Sequence, residues 1–306
     1  MVAWASGKRG RYIGVASLVG LLLGLTIGYE ALELRQEMKR SAARGVAYAS
    51  ALRLSQRVQE AVGPAYMLAA LVQRGNGQVD QFEAVATDLL QQFPMARAVE
   101  LAPGGVITQV YPLPGNEGII GHDLLRDKAR NREAHLAVAR KQLTLAGPFE
   151  LKQGGLGAVG RFPVFQYTPD GRQEFWGFTI VLLRVPELLA AAGFVQLTGE
   201  GYGFELCRVP PDEEQCTPFY RQGSGTLDDP VRVTVDVPNG RWTLSLAPDG
   251  GWSSPWDWSG VLLHGVGLAA LLGALQALLL RSLFPRRRAA DHREERAGSE
   301  VGPLSR

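Results

Sequence analysis

Apolar and polar positions divide the chain into an uncharged run near each end and a long mixed middle. Tyr12–Tyr29, YIGVASLVGLLLGLTIGY, carries no charge. At about 1.5 Å per residue such a helix covers roughly 27 Å, close to the thickness of a bilayer core. Ser259–Leu280 also lacks Asp, Glu, Lys and Arg; Trp252, Trp256 and Trp258 precede it, and Arg281 and Arg286, Arg287 and Arg288 follow. Aromatic residues on one side and basic residues on the other are the flanks of a membrane span, so both runs predict transmembrane helices. Lys8, Arg9 and Arg11 precede the first run, and the positive-inside rule then predicts cytoplasmic chain ends and an exported middle. The first run is longer than a usual signal-peptide core, and no small-x-small site follows it before EALELRQEMKR. That favours an uncleaved anchor over a signal peptide.

Between Glu30 and about Gln73, Leu32, Val46, Leu52, Leu54 and Val58 recur at near-helical spacing, with no proline before Pro64. This predicts a long helix leaving the membrane and broken near Gly63-Pro64. No clean heptad is sustained, so pairing with a twin and packing on its own domain both fit. Further on, FEAVATDLLQQF and NREAHLAVARKQ predict helices, and ARAVELAP and VITQVYPL predict a hairpin about Gly104-Gly105. LTLAGPFEL, LGAVGRFPVFQY and EFWGFTIVLLR predict strands, then VPELLAAAGF a helix ending at Gly193, then YGFELCRV, VRVTVDV and RWTLSLAP more strands. The expected architecture is an antiparallel sheet flanked by helices, an α+β fold.

Composition narrows the function. Hydrophobic residues make up 46% and charged residues 20%, and 32 Lys+Arg against 30 Asp+Glu leave a net charge of +2. This excludes a disordered chain and argues against nucleic-acid binding. Two cysteines and four scattered histidines supply no usual ligand pairs for a metal, and no cofactor motif is present. Cys207 and Cys216 bracket CRVPPDEEQC; in an oxidising compartment they close that turn as a disulfide, and otherwise they are two unpaired thiols. Residues 281–306 hold too little apolar surface for a folded output domain.

Taken together, ELAPGGVITQVYPLPGNEGIIGHDLL (Glu100–Leu125), AGPFELKQGGLGAVGRFPVF (Ala146–Phe165) and FWGF (Phe175–Phe178) resemble the CHASE domain, a sensory module outside the membrane between two transmembrane helices. The resemblance covers most of residues 45–250. It implies a long stalk helix leading into PAS-like α+β lobes, the membrane-distal lobe binding an adenine-type ligand in plant cytokinin receptors. Bacterial members typically precede a histidine kinase or a nucleotide or diguanylate cyclase, and no such domain follows the second span here. The expected plan is a cytoplasmic segment 1–11, span 12–29, stalk 30–75, sensory domain 76–250, Trp-rich interface segment 251–258, span 259–280 and basic cytoplasmic tail 281–306. Few Lys and many Arg, Ala and Gly lean towards a bacterial inner-membrane protein with a periplasmic domain.

By the same resemblance, Asp123 in GHDLL is similar to the acidic position that accepts hydrogen bonds from the ligand's ring nitrogens; capping a helix from Leu124 explains it equally. Leu145, Gly147, Phe149, Phe162 and Phe165 fall along the strands that face the ligand in the family, and ordinary core packing also accounts for their alternation. His122 and Asp123, with Glu133 and His135 downstream, make a poor metal or acid–base set, because residues two apart face different sides of a helix. No nucleophile elbow and no phosphate-binding GxxxxGK[ST] loop occur, so no enzyme is expected. Gly20, Gly24 and Gly28, and Gly265, Ala269 and Gly273, form small-xxx-small stripes that predict helix pairing within a chain or in a homodimer. The expected function is a membrane-anchored sensor that binds a small-molecule ligand and signals to a separate output partner. The alternative is an interaction or scaffold protein that uses the same fold to bind an extracytoplasmic protein.

Overall fold

The computed structural model describes residues 2–128, 131–151, 154–209, 215–223 and 226–283. The basic tail with Arg286–Arg288 lies outside the described residues, as does the Pro-Pro-Asp-Glu-Glu centre of the cysteine loop. Two compact units emerge, Met1–Met38 with Ser253–Arg306, and Lys39–Trp252. Helix α1, Val2–Ala61, contributes to both.

In the smaller unit α1 meets α7, Pro255–Leu283, and each contains a stretch long and apolar enough to cross a membrane. The N-terminus of α7 is well specified: Pro255 stands at the first helical position, and Asp257 Oδ2 accepts the Ser254 backbone N–H at 2.9 Å. The two helices approach along their small residues. A Cβ on Gly20 would lie 2.7 Å from the Leu268 carbonyl oxygen and 2.9 Å from Ala269 Cα, and one on Gly28 would lie 2.9 Å from Val261 Cα. Gly24 faces His264 and Gly265 as closely, and Gly273 faces Ser17. Backbones this near leave no room for a side chain.

The larger unit starts with the rest of α1, which ends where Gly63-Pro64 opens α2, Gly63–Arg74. Proline lacks the N–H that α1 would need to continue, yet suits a first turn. Helix α3, Phe82–Gln92, leads to β1, Ala96–Pro103, and β2, Gln109–Tyr111. A covering segment with a 3-10 turn at Glu117–Ile119 then runs to α4, Arg132–Arg140. Three strands follow: β3 Thr144–Glu150, β4 Leu156–Tyr167 and β5 Gln173–Arg184. They complete an antiparallel sheet of order β2-β1-β5-β4-β3.

Alternation gives this sheet two buried faces. Val99, Leu101, Val181, Leu183, Ala158 and Val164 join the helical core. Thr179 Oγ1 ties β5 to α2 by donating to the buried Ala65 carbonyl at 2.7 Å. Ala98, Ala102, Phe178, Ile180, Leu182 and Val159 point the other way, beneath the covering segment and α4, where Ile107, Ile119, Leu124, Ala134 and Ala137 close a second core.

A second sheet sets this fold apart from the single sheet read in the sequence. Short helices α5, Val185–Ala191, and α6, Phe194–Gly199, replace one expected helix, with Gly193 at φ +83° between them. Then β6 Tyr202–Val209, β7 Thr217–Gln222, β8 Val231–Val237 and β9 Gly240–Pro248 pair in the order β7-β6-β9-β8. Cys207 and Cys216 form a disulfide. The sheets are linked by an ion pair between Arg208 and the buried Glu133, and by the Leu145 N–H, which donates to Asn239 Oδ1 at 2.5 Å. Trp252 is buried, donates Nε1–H to the Asp228 carbonyl at 3.0 Å, and lies under the Arg40 guanidinium at 4.8 Å.

Candidate functional site

On the face of the first sheet away from the helices, strand register sets two opposite charges side by side. Glu100 on β1 and Arg161 on β4 both pair with Ile180 of the intervening β5. Their Cα atoms thus stand two strand spacings apart, about 10 Å, a gap two long side chains close readily. Each residue is only 3% exposed. They line a small, partly open cavity of about 40 Å³. The rest of its wall is Ile107, Ile119, Leu124, Phe149, Leu151, Val159 and Leu182, with His122 at the covering segment. A few convergent polar groups on an apolar wall is the usual build of a small-molecule site.

Burial sets the electrostatics. Loss of water pushes the Glu100 carboxyl up to about 7, and the positive charge of Arg161 holds back part of that rise. Glu100 therefore exchanges its proton near neutrality, whereas a guanidinium stays charged. His122 Nε2 lies 3.3 Å from Asp127 Oδ2, which orients the ring. The covering segment is tied down from beneath: the Ile107 N–H donates to the His122 carbonyl at 3.0 Å, and the Leu124 N–H to the Gly105 carbonyl at 2.9 Å.

The residues expected from the sequence are spread over several environments. Phe149 lines the cavity. Asp123 holds a turn, its Oδ1 accepting the N–H groups of Leu125 at 3.0 Å and Arg126 at 3.1 Å. It thereby fixes the stretch that presents His122 and Leu124 without lining the cavity itself. Leu145 is in the helical core. Phe162 lies on the helix side, its ring 4.8 Å from that of Tyr66. Phe165 sits further along β4, 5.8 Å from Phe175 and beneath Lys141 Nζ at 5.0 Å. Gly147 has φ +95°, and a Cβ there would stand 2.9 Å from the Gly157 carbonyl oxygen, so its role is close strand approach.

Glu100 and Arg161 escaped the sequence reading, although a signal exists. Each is the lone charge amid apolar neighbours, in AVELA and AVGRFPV, and a charge in a strand apolar on both faces must find a partner or a ligand. Glu133 is engaged by Arg208, while His135 Nε2 lies 3.1 Å from the Leu125 carbonyl, so the two serve different neighbours. Among the described residues no group of three or more His, Cys, Asp or Glu side chains is placed to hold a metal ion. A larger cleft of about 880 Å³ opens on the surface between the start of α3 and β2, with Leu113 and Ile120 exposed along it.

A family model described as CHASE domain matches residues 44–215, more than half of the chain. No curated protein matches the sequence. Among solved structures, an extracellular ligand binding receptor from Desulfohalobium retbaense superposes with a TM-score of 0.51 at 15% identity, over 64% of this chain and 38% of that one. The chain thus spans well under half the length of that receptor, and at this identity the likeness is one of fold. The sensory domain of the Campylobacter jejuni chemoreceptor Tlp3 gives a TM-score of 0.45 at 9% identity, over 71% of this chain and 96% of that one. The Vibrio cholerae LuxQ periplasmic domain gives 0.39 at 11% identity, over 67% and 98%.

Proposed function

From the premise that the chain belongs to the CHASE domain family, we propose that it is an extracytoplasmic sensor that binds a small molecule in the cavity between Glu100 and Arg161. The observation that carries this reading is a buried pair of opposite charges facing a small cavity at the second core of the domain. A purely structural core has little use for such a pair, since well-packed apolar residues of similar volume are as stable or more so. In this reading the domain is PAS-like and periplasmic, α1 and α7 cross the inner membrane at 12–29 and 259–280, and both chain ends are cytoplasmic. Asp123 acts as a positioning residue that holds the covering segment, and Phe149 contacts the ligand.

Signal passes to an output partner through α1. Its upper part packs in the sensory unit through Leu54 and Val58, and its lower part presents Gly20, Gly24 and Gly28 to α7. A ligand shifts these helices only by its differential affinity for two arrangements, and a homodimer supplies two such arrangements.

The test is thermal unfolding of the full chain in detergent against a panel of purines, amino acids and small carboxylates. A ligand at 100 times its dissociation constant adds about 2.7 kcal/mol, a rise of roughly 5 to 10 °C in the midpoint for a domain of this size. The rise is expected to vanish in Ile107→Phe, which fills the cavity, each protein being read against its own baseline. Exposed Leu113 and Ile120 along the surface cleft favour a second reading, docking of an extracytoplasmic protein. A panel without any shift, together with loss of a captured partner in Leu113→Asp, supports that one.

A further inference from the structure

The cavity has a charge asymmetry that its shape alone does not reveal. Of its two buried charges, the Arg161 guanidinium keeps its proton at any physiological pH, whereas the Glu100 carboxyl can take one up. The pair is therefore either neutral or singly positive, and never negative. A bound anion leaves the site neutral once Glu100 is protonated. A bound cation would leave it with an unbalanced buried charge in both states, at a high desolvation cost. Size sets a second limit. About 40 Å³, at roughly 10 to 15 Å³ for each water-sized centre, accommodates three or four such centres, so only the smallest carboxylic acids come near this size. Purines and most amino acids are too large unless the covering segment moves.

Resting on the sensor reading, we propose that the cavity takes a small monocarboxylate on Arg161 and that binding draws one proton from solvent onto Glu100. The balance is simple: the ligand enters as its anion, Glu100 gains one H⁺, no covalent bond changes in the ligand, and the buried site stays neutral. Protonated Glu100 is then also a donor that can reach the second carboxylate oxygen. The ionisable groups around Glu100 are few. Arg161 faces it from β4, and β5 contributes the apolar Ile180 and Leu182. The covering segment contributes His122, held by Asp127. On α4, Glu133 is engaged by Arg208. His122 is the other ionisable side chain on the cavity wall, and its contribution has to be separated from that of Glu100 by experiment.

The experiment is calorimetric titration of the full chain in detergent with propionate, propionamide and n-propylamine at pH 6 and pH 8, each in two buffers of different ionisation heat. With Glu100 exchanging its proton at about 7, propionate affinity should fall about tenfold from pH 6 to pH 8. About one proton should be taken up per propionate at pH 8 and few at pH 6. Glu100→Gln, which mimics the protonated acid, should bind propionate equally at both pH values, close to the wild-type affinity at pH 6. His122→Asn should keep the wild-type pH dependence. Arg161→Gln should lose at least tenfold, and Arg161→Lys should recover part of it; thermal unfolding confirms that each variant is folded. PH-independent wild-type binding, or a pH dependence that disappears with His122 and survives in Glu100→Gln, overturns the inference. Tighter binding of propionamide or n-propylamine overturns it while leaving the sensor reading intact. Failure of all three probes overturns it as well, and the sensor reading then stands or falls on the wider thermal panel.

Discussion

Replacing Glu100 by Gln tests the buried pair without any ligand. Glu100 is 3% exposed, and its carboxyl rises from an ordinary 4.5 to about 7. That difference, at about 1.4 kcal/mol per unit, is worth about 3 kcal/mol. The sign follows from proton binding: between those two values the folded chain holds a proton that the unfolded chain has released. The stabilisation is fully present below the unfolded value and is lost as pH climbs through about 7. Gln cannot ionise, so the variant keeps what the wild type loses. Thermal unfolding of the full chain in detergent, followed through the buried Trp242, should show nearly equal midpoints at pH 4.5. At pH 8 the variant should be higher by roughly 6 to 12 °C, at 2 to 4 °C per kcal/mol for a domain of this size. A midpoint difference that stays constant with pH, or a variant less stable than wild type at pH 8, would refute the reasoning.

Two further perturbations probe other parts of the molecule. The Cys207–Cys216 bridge closes a short loop, with a sequence separation of 9, so the Cys207→Ser/Cys216→Ser double variant should lose about 2 to 3 kcal/mol, read as a lower denaturation midpoint that reductant no longer changes. Gly20→Leu should force α1 and α7 apart, because its Cβ alone would lie 2.7 Å from the Leu268 carbonyl oxygen; loss of a cross-link between cysteines placed on the two helices measures it, and an unchanged yield contradicts the packing.

Local structure was largely legible in the sequence, because amphipathic periods and Gly and Pro punctuation act over a few residues. The end of α1 before Gly63-Pro64, helix α3 and the β1–β2 hairpin all follow from such signals. Non-local pairing was not legible. Strand β1 inserts beside β5, distant in sequence, and nothing in AVELA states which strand will flank it. That pairing sets Glu100 beside Arg161, so the candidate site stayed hidden for the same reason. Strand β7, TPFYRQ, has mixed exposure and little alternation, and its partner β6 decides its conformation. Asp123 stands in the sequence as one carboxylate in a short motif, and its local turn-capping use is the one visible in the hydrogen bonds. Phe162 and Phe149 fit the same alternating pattern, yet β3 and β4 turn them to opposite faces of the sheet.

Hydrogen exchange of the full chain, with and without whichever panel compound raises its midpoint, tests the sensor reading most directly. Binding in the cavity predicts slowed exchange in 100–107, 119–125 and 159–162, accompanied by a change along the upper part of α1. Protection confined to 79–84 and 108–113, around the surface cleft, with no change in the strands that carry Glu100 and Arg161, would contradict it.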